Sequence, residues 1–377
     1  MENTILKCFQ FLISFWSVSL ATITVAGAQS DTVRPQIEGG TVFHYGYVRP
    51  EKVTPASAHP PVGVELTLGR LQTGQRAWQQ CNCFFRAGGY FNYYSFRNLQ
   101  ALGHSAGVGA YMEPLLWHRA AFSVSVRLSL GVSYVSKLYD PIENPNRNFG
   151  SHANGMTGVG VYARRRLAGR WSGVLSMEYR HLSNAGIWQP NQGLNVPSVG
   201  VGLVYGPPAM KLPNPQSWGK APMLSKRWFG RAVALASVRV MAARDAFPER
   251  SCPMFGVNLL AGYRFTKAHA LSTGVELLND GYMKEELRRG GSSARYQQAT
   301  WLAGYELWQG RVAFTAHFGW NVVRPGAAFM GQGGYRPATY QKYGLLYVLH
   351  NGLTMGIVVK AFGENTKGFQ LAVGGSF

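Results

Sequence analysis

Residues 122–134 read FSVSVRLSLGVSY and alternate between apolar side chains and small or polar ones. Successive side chains of a β-strand point to opposite faces, so this stretch predicts a strand with one apolar face and one polar face. The polar face carries Arg127 among serines and a glycine, which would fill a packed core poorly. In an outer-membrane barrel the apolar face meets lipid and the polar face lines the interior. The stretch therefore favours a membrane barrel over a soluble β-sandwich.

The same alternation recurs in residues 255–265 and 312–322, and again in the last strand, residues 369–377. Short turns, such as residues 167–170, alternate with longer connections, such as residues 184–195. Short turns on one side and long loops on the other are typical of outer-membrane barrels. The fold class predicted is an all-β, transmembrane antiparallel outer-membrane β-barrel of about 14–16 strands. Its final strand ends at Phe377 and resembles the signal read by the barrel-assembly machinery, which is an expected partner.

The chain divides into four predicted segments. Residues 1–28 are an apolar run ending in Ala-Gly-Ala, which predicts a cleaved signal peptide, with a membrane anchor helix as the alternative. Residues 29–206 hold the N-terminal strands of the barrel, and residues 207–226 form a Pro-rich connection. Residues 227–377 are expected to complete the wall of one large barrel rather than form a second small one.

The amino-acid composition limits the classes of molecule that this protein is expected to bind. The chain has 37 basic and 17 acidic residues, a formal net charge of +20. An exported chain without a nucleic-acid-binding module is not expected to bind nucleic acid. Attraction to a phosphate-rich membrane surface fits better, with lipopolysaccharide the obvious polyanion. Cys81 and Cys83 are expected on one face of a strand and are not expected to bond to each other there, and no cluster has metal-ligand spacing. No metal and no cofactor are therefore expected.

A second stretch, residues 171–195, contains candidate catalytic residues. Its strand places Trp171 and Tyr179 on the same face as His181 and Ser183, so a base and a hydroxyl lie side by side at the end of the apolar face. A loop rich in Gly, Pro and Asn follows. In a soluble protein such a pair is usually a satisfied polar contact. On a membrane barrel it would face lipid.

The segment HLSNAGIWQPNQGL, residues 181–194, resembles the active-site segment of the lipid A 3-O-deacylase (acyloxyacyl hydrolase) family. The members are outer-membrane barrels that hydrolyse an ester-linked acyl chain from lipid A, and the resemblance covers roughly residues 40–206. It implies that Ser183 is the nucleophile and His181 the base. It implies oxyanion donors at Gly186 and Asn191, with Asn184 supporting the motif. It also implies lipid A as substrate in the outer membrane of a Gram-negative bacterium.

The sequence departs from the family at one position. Family members usually have an acidic residue twelve positions after the serine, and here Asn195 occupies that place. Strand parity puts Asn195 on the apolar face, where it can lie beside His181 on the neighbouring strand. An amide can fix the tautomer of the imidazole but supplies no negative charge, so a slower hydrolase is expected. The alternative is a non-catalytic barrel, a pore or a scaffold or adhesion protein, that keeps the motif as a structural corner.

Overall fold

The structure is a computed structural model. It describes residues 36–56, 59–119, 121–207, 212–214, 226–244, 246–323, 338–362 and 365–377. The predicted signal peptide, residues 1–28, and most of the Pro-rich connection, residues 207–226, lie outside the described residues. Among those that are described, no helix combines the length and the hydropathy that a membrane span requires.

The first half of the chain forms a closed antiparallel barrel of eight strands. Each strand pairs with the next, and the barrel closes by pairing of the eighth strand with the first. The strands are β1 (Gln36–Gly46), β2 (Val62–Gln72), β3 (Phe85–Ser95), β4 (His104–Arg119), β5 (Phe122–Val135), β6 (Ala153–Ala168), β7 (Trp171–Ser183) and β8 (Leu194–Tyr205).

The second half forms another closed barrel of eight strands, in which β16 pairs with β9. The strands are β9 (Trp228–Met241), β10 (Arg250–Arg264), β11 (His269–Asp280), β12 (Gln297–Gln309), β13 (Val312–Val323), β14 (Thr339–Val348), β15 (Leu353–Phe362) and β16 (Asn365–Ser376). The C-terminal Phe377 exchanges two backbone hydrogen bonds with Gly230 at the start of β9, 2.8 and 3.0 Å long.

The fold class and the strand number are confirmed, since the 16 strands lie within the predicted range. The prediction of one large barrel is wrong, because residues 227–377 close on themselves instead of completing the first wall. The amphipathic pattern of a strand fixes its two faces but not which strand closes the sheet. That choice depends on backbone pairing between strands that are distant in sequence.

The interior of the first barrel is filled with ion pairs. The Arg127 side chain donates to Glu113 at 2.7 Å and to Glu65 at 2.7 Å, between the rings of Tyr111 and Tyr162. The same cluster includes Glu38, Arg86, Arg164, Glu178 and Arg180. An eight-stranded barrel is just wide enough for its own side chains to fill it. The polar face thus lines a packed interior, in place of the hydrated lumen expected of a wider barrel.

The second barrel has the same kind of interior. Glu306 accepts two hydrogen bonds of 3.0 Å from Arg231, a bidentate pair. Glu276 accepts from Tyr340 at 2.8 Å and is paired with Lys342 and Lys360. In both barrels, the charged side chains of the interior are therefore neutralised by buried ion pairs.

Among the described residues, the connections contain a 3₁₀ helix (Pro50–Lys52) and two short α-helices. The helix α1 (Gln75–Cys81) joins β2 to β3, so Cys81 ends a helix and the expected strand there is wrong. Asn82, in the left-handed conformation, caps this helix. Cys83 is disulfide-bonded, whereas Cys252 is a free and buried thiol. The helix α2 (Gly281–Arg289) follows β11 and is capped by the Asp280 side chain, which accepts from two backbone amides.

Candidate active site

The pairing of β7 with β8 brings the motif residues together. His181 lies directly opposite Asn195 across the two strands, and Ser183 lies opposite Gly155 of β6. We use "upper rim" for the barrel end at which β7 stops and β8 begins. The site thus lies at the upper rim of the first barrel.

The outward face of β7 is apolar below the site. Met177 is 68% exposed and Tyr179 is 45% exposed, whereas Glu178 and Arg180 are buried in the interior. This alternation agrees with the parity predicted from the sequence. His181 and Ser183 therefore end the outward, apolar face of β7, where Ser183 is itself buried. Arg180 bonds to Glu65 and Glu178 inside the barrel, and it points away from the site.

The imidazole of His181 is held on one side only. Its Nδ1 lies 2.6 Å from Oδ1 of Asn195. Because an amide oxygen only accepts, Nδ1 carries the proton and Nε2 has the free lone pair. Nε2 is buried and has no hydrogen-bond partner within the part of the chain that the structure describes. This arrangement leaves the basic nitrogen of His181 available.

The hydroxyl of Ser183 receives two donors. The Asn191 side-chain Nδ2 donates to Ser183 Oγ at 2.8 Å, and the Ala185 backbone amide donates to the same oxygen at 3.1 Å. Ser183 is 5% exposed. Two donors therefore converge on the Ser183 hydroxyl oxygen.

The backbone amide of Gly186 points elsewhere. It donates to Oδ1 of Asn184 at 2.9 Å. The backbone amide that donates to Ser183 Oγ in this structure is therefore that of Ala185, and the role of oxyanion donor that the family resemblance implies for Gly186 stays a prediction. Asn184 itself is buried, and its side chain donates to Ser151 at 3.0 Å and to the Trp188 carbonyl at 3.1 Å. Asn184 thus ties the turn to the loop around it.

The turn after Ser183 has an unusual backbone. Ala185 has a φ of +62° and Gly186 a φ of +81°. A left-handed conformation is costly for a residue with a Cβ atom, by about 1 kcal/mol for alanine. Such a conformation persists only where the surrounding contacts fix it. In this turn it aims the Ala185 amide back at Ser183.

A neighbouring loop supports the far side of the site. Asn148 donates through its side chain to the Gly193 carbonyl at 2.6 Å, and the Gly193 amide donates to the Asn148 carbonyl at 3.1 Å. Gly193 has a φ of +66°, and a methyl group placed on it would lie 3.0 Å from Cε1 of His181. A glycine is needed here both for the backbone conformation and for the close approach of the imidazole.

Sequence patterns alone do not identify Ala185, Asn148 or Gly193 as the residues that make these contacts. Gly193 belongs to the quoted motif, and its position in a Gly/Asn-rich loop was a signal for a left-handed residue. Asn148 lies 45 residues away in the chain, and nothing in the sequence connects it to the motif. Only the folded barrel brings it there.

Another polar cluster has the composition of a metal site. His44, Glu65 and Glu178 lie in the barrel interior with potential ligand atoms within 4.8 Å of one another. However, Arg127 and Arg180 are ion-paired to these carboxylates. The guanidinium groups thus neutralise the carboxylates that a metal ion would need as ligands.

Comparison with known families gives a match for each half of the chain. Residues 64–204 match the family model described as lipid A 3-O-deacylase (PagL). Residues 231–377 match the model described as the C-terminal domain of acyloxyacyl hydrolase. The second match covers the half for which the sequence resemblance implied nothing. A comparison with curated protein sequences gives no significant match.

Similar solved structures are outer-membrane proteins. The outer membrane enzyme PagL is 17% identical, with a TM-score of 0.32, over 45% of this chain and 99% of that one. Neisserial surface protein A is 10% identical, with a TM-score of 0.30, over 45% and 96%. The β domain of the Bordetella autotransporter BrkA is 10% identical, with a TM-score of 0.26, over 91% and 98%.

Proposed function

The chain belongs to the lipid A 3-O-deacylase (acyloxyacyl hydrolase) family of outer-membrane barrels, and on that premise we propose that it is a serine esterase of lipid A. The substrate bond is an ester-linked acyl chain, at the 3-O position by analogy with the family. Ser183 is the nucleophile and His181 is the general base. The protein acts in the outer membrane of a Gram-negative bacterium.

One observation carries this proposal. The Nδ1 atom of His181 lies 2.6 Å from Asn195, and its Nε2 atom has no partner among the residues that the structure describes. Two positions along the strand, the Ser183 hydroxyl oxygen accepts from two donors. A purely structural corner needs neither a free basic nitrogen in a buried place nor a second donor on the serine. Buried polar atoms are usually paired, and exceptions occur at catalytic groups.

The reaction follows the serine-hydrolase scheme. Ser183 Oγ attacks the ester carbonyl while His181 Nε2 takes the hydroxyl proton, and the histidine then gives that proton to the departing sugar hydroxyl. The acyl group remains on Ser183 as an ester. A water molecule, activated by the same nitrogen, hydrolyses it and restores the serine.

The oxyanion forms on the former carbonyl oxygen, which is bonded to the carbon that Ser183 Oγ attacks, and we assign its stabilisation to the two groups that now donate to Oγ and lie close enough to turn to that oxygen. These are the Ala185 amide and the Asn191 side chain, at 3.1 and 2.8 Å from Oγ. One such donor is typically worth about 3 kcal/mol in the transition state. The Asn195 amide orients the imidazole without supplying charge, so the imidazolium is less stabilised than beside a carboxylate.

The position of the site restricts the substrate. Below it lie exposed apolar side chains, among them Met177, Val199 and Val201. A lipid-facing stripe of this kind receives an acyl chain, while the upper rim lies at the level of the lipid headgroups. The net charge of +20 favours a substrate with phosphate groups. Recognition by the barrel-assembly machinery through Phe377 is part of the same proposal.

The rival hypothesis of a passive pore is not supported. A pore needs an open interior, whereas the interior of the first barrel holds the charged cluster around Arg127, which is 2% exposed. The second barrel interior holds the pairs around Glu276 and Glu306, both fully buried. Filled eight-stranded barrels do not conduct as wide porins do.

The test is mass spectrometry of lipid A from membranes that contain this protein or its Ser183→Ala variant at equal abundance. We expect loss of one hydroxyacyl chain with the native protein and intact lipid A with the variant. Hydrolysis that persists in Ser183→Ala would remove Ser183 from the mechanism. Intact lipid A in both samples, with detergent-dispersed substrate as well, would refute the esterase proposal.

We expect Asn195→Asp to raise the deacylation rate about tenfold. A carboxylate at this position keeps the acceptor for His181 Nδ1 and adds a negative charge that favours the imidazolium of the transition state. Asn195→Leu, which removes the acceptor, is the matched variant and is expected to slow the reaction. Initial rates on purified lipid A measure both. Equal losses in the two variants would show that Asn195 does not act through His181.

A further inference from the structure

The second barrel touches the turn that carries the backbone donor of the site. The backbone amide of Val240, near the end of β9, donates to the Gly186 carbonyl at 2.8 Å. Val240 lies on the outward face of β9 and yet is only 8% exposed. Its amide thus leaves the ladder of its own barrel and bonds to the first barrel.

Further contacts enclose the same turn. A methyl group placed on Gly368 of β16 would lie 2.8 Å from the Ala185 carbonyl oxygen. One placed on Gly186 would lie 3.8 Å from Nε of Arg239. The turn therefore fits between β9 and β16 with no room for an added side chain at Gly368. The Arg239 guanidinium is itself stacked on Tyr282, 3.8 Å from the ring centroid.

The two barrels also meet beside the turn. A methyl group on Gly155, opposite Ser183 on β6, would lie 3.1 Å from the Phe369 ring. The helix α1, in the connection from β2 to β3, approaches β12. The contact at the site is thus one part of a longer approach between the barrels.

We infer that the second barrel is a positioning element of the active site: Val240 and Gly368 hold the 185–186 turn so that the Ala185 amide points at Ser183. The inference rests on the proposed function. It assigns a role to residues 231–377, which carry none of the motif. Ala185 is in a conformation that needs external support, and the second barrel places Val240 at the Gly186 carbonyl and Gly368 beside the Ala185 carbonyl.

The mechanism of this effect is geometric. The donor contributes in the transition state only if it stays directed at the developing charge. A misplacement of about 1 Å in a catalytic group typically costs about 10²-fold in rate. Loss of the Val240 contact is therefore expected to lower kcat about 10²-fold and to leave KM nearly unchanged.

The experiment uses the full-length protein with two matched pairs of variants. Val240→Pro removes the amide that bonds to Gly186, and Val240→Ala keeps it. Gly368→Ala forces a methyl group against the Ala185 carbonyl at a residue whose φ is +113°. Gly375→Ala on the same strand adds a methyl group where nothing lies within 4 Å, and Gly291→Ala, at a φ of +67° and also with nothing within 4 Å, controls for the backbone strain alone. Folding of each variant is checked by heat-modifiable migration in gels.

Two measurements are made on each variant. The first is kcat and KM on purified lipid A. The second is amide hydrogen exchange of residues 184–188, which needs no activity. We expect Val240→Pro and Gly368→Ala to lower kcat and to speed exchange at least tenfold, while Val240→Ala, Gly375→Ala and Gly291→Ala match the native protein.

The outcomes separate this inference from the proposed function. If Val240→Pro and Gly368→Ala both fold and show native kcat and native exchange, the inference is overturned. If only one of the two variants folds, native kcat and native exchange in that variant alone overturn the inference. If the native protein does not hydrolyse lipid A, the proposed function fails, and exchange alone then shows whether the second barrel holds the turn.

Discussion

His181→Ala is expected to lower the rate of lipid A deacylation by about 10⁴-fold. The Nε2 atom of this imidazole is buried and has no hydrogen-bond partner within the part of the chain that the structure describes. Without it the serine hydroxyl has no base, and the leaving sugar oxygen has no proton donor. Both steps of the reaction depend on the same nitrogen, so the effect is among the largest that one substitution can give here.

The measurement is the initial rate on purified lipid A, with His104→Ala as the control. His104 is exposed at the start of β4, on the same rim but without a bond to the motif, and its substitution is expected to leave the rate unchanged. The Ser183→Ala variant and the double variant that combines it with His181→Ala should lose no more activity than His181→Ala alone, because the two residues act as a unit. A His181→Ala variant with a rate within tenfold of the native protein would contradict the dyad.

Arg127→Ala is expected to destabilise the first barrel by about 3–5 kcal/mol, the usual cost of removing one partner from a buried ion pair. The guanidinium bonds to Glu113 and Glu65 and lies 4.2 and 3.9 Å from the centroids of two tyrosine rings. Removing it leaves two buried carboxylates short of charge compensation. It also opens a cavity between the tyrosines.

Denaturant-induced unfolding in detergent or lipid, followed by tryptophan fluorescence, measures this loss. The control is Arg165→Ala, since Arg165 is exposed on the outer face of β6. Its substitution is expected to change the free energy of unfolding by less than about 0.5 kcal/mol. If the two variants were equally stable, the interior cluster would not be the main support of this barrel.

The interior cluster and the site are linked by one strand. Glu178 and Arg180 point into the first barrel, and His181 and Ser183 end the opposite face of β7. The ion pairs fix the inward face, and the alternation of the strand then fixes the outward one. The charge pairs of the interior thereby help to set the direction of the His181 and Ser183 side chains.

The amino-acid sequence by itself determined the class of fold. Alternation of apolar and polar side chains is a property of each strand alone, so residues 122–134 already showed a membrane-facing surface and a polar interior. The same local rule placed His181 and Ser183 side by side on the outer face. It also placed Asn195 on the outward face, where the structure finds it opposite His181.

Only the tertiary structure decided how the strands close and what surrounds the turn. Two barrels of eight strands and one barrel of sixteen strands have the same alternation within each strand. Backbone pairing of β1 with β8 and of β9 with β16 distinguishes the two architectures. The long Pro-rich connection at residues 207–226 was the one sequence signal of that division. The choice of the Ala185 amide over Gly186, and the bond from Val240, arise between segments far apart in the chain. Such contacts leave no periodic pattern in the amino-acid sequence, because they join segments that come together only after both barrels have formed.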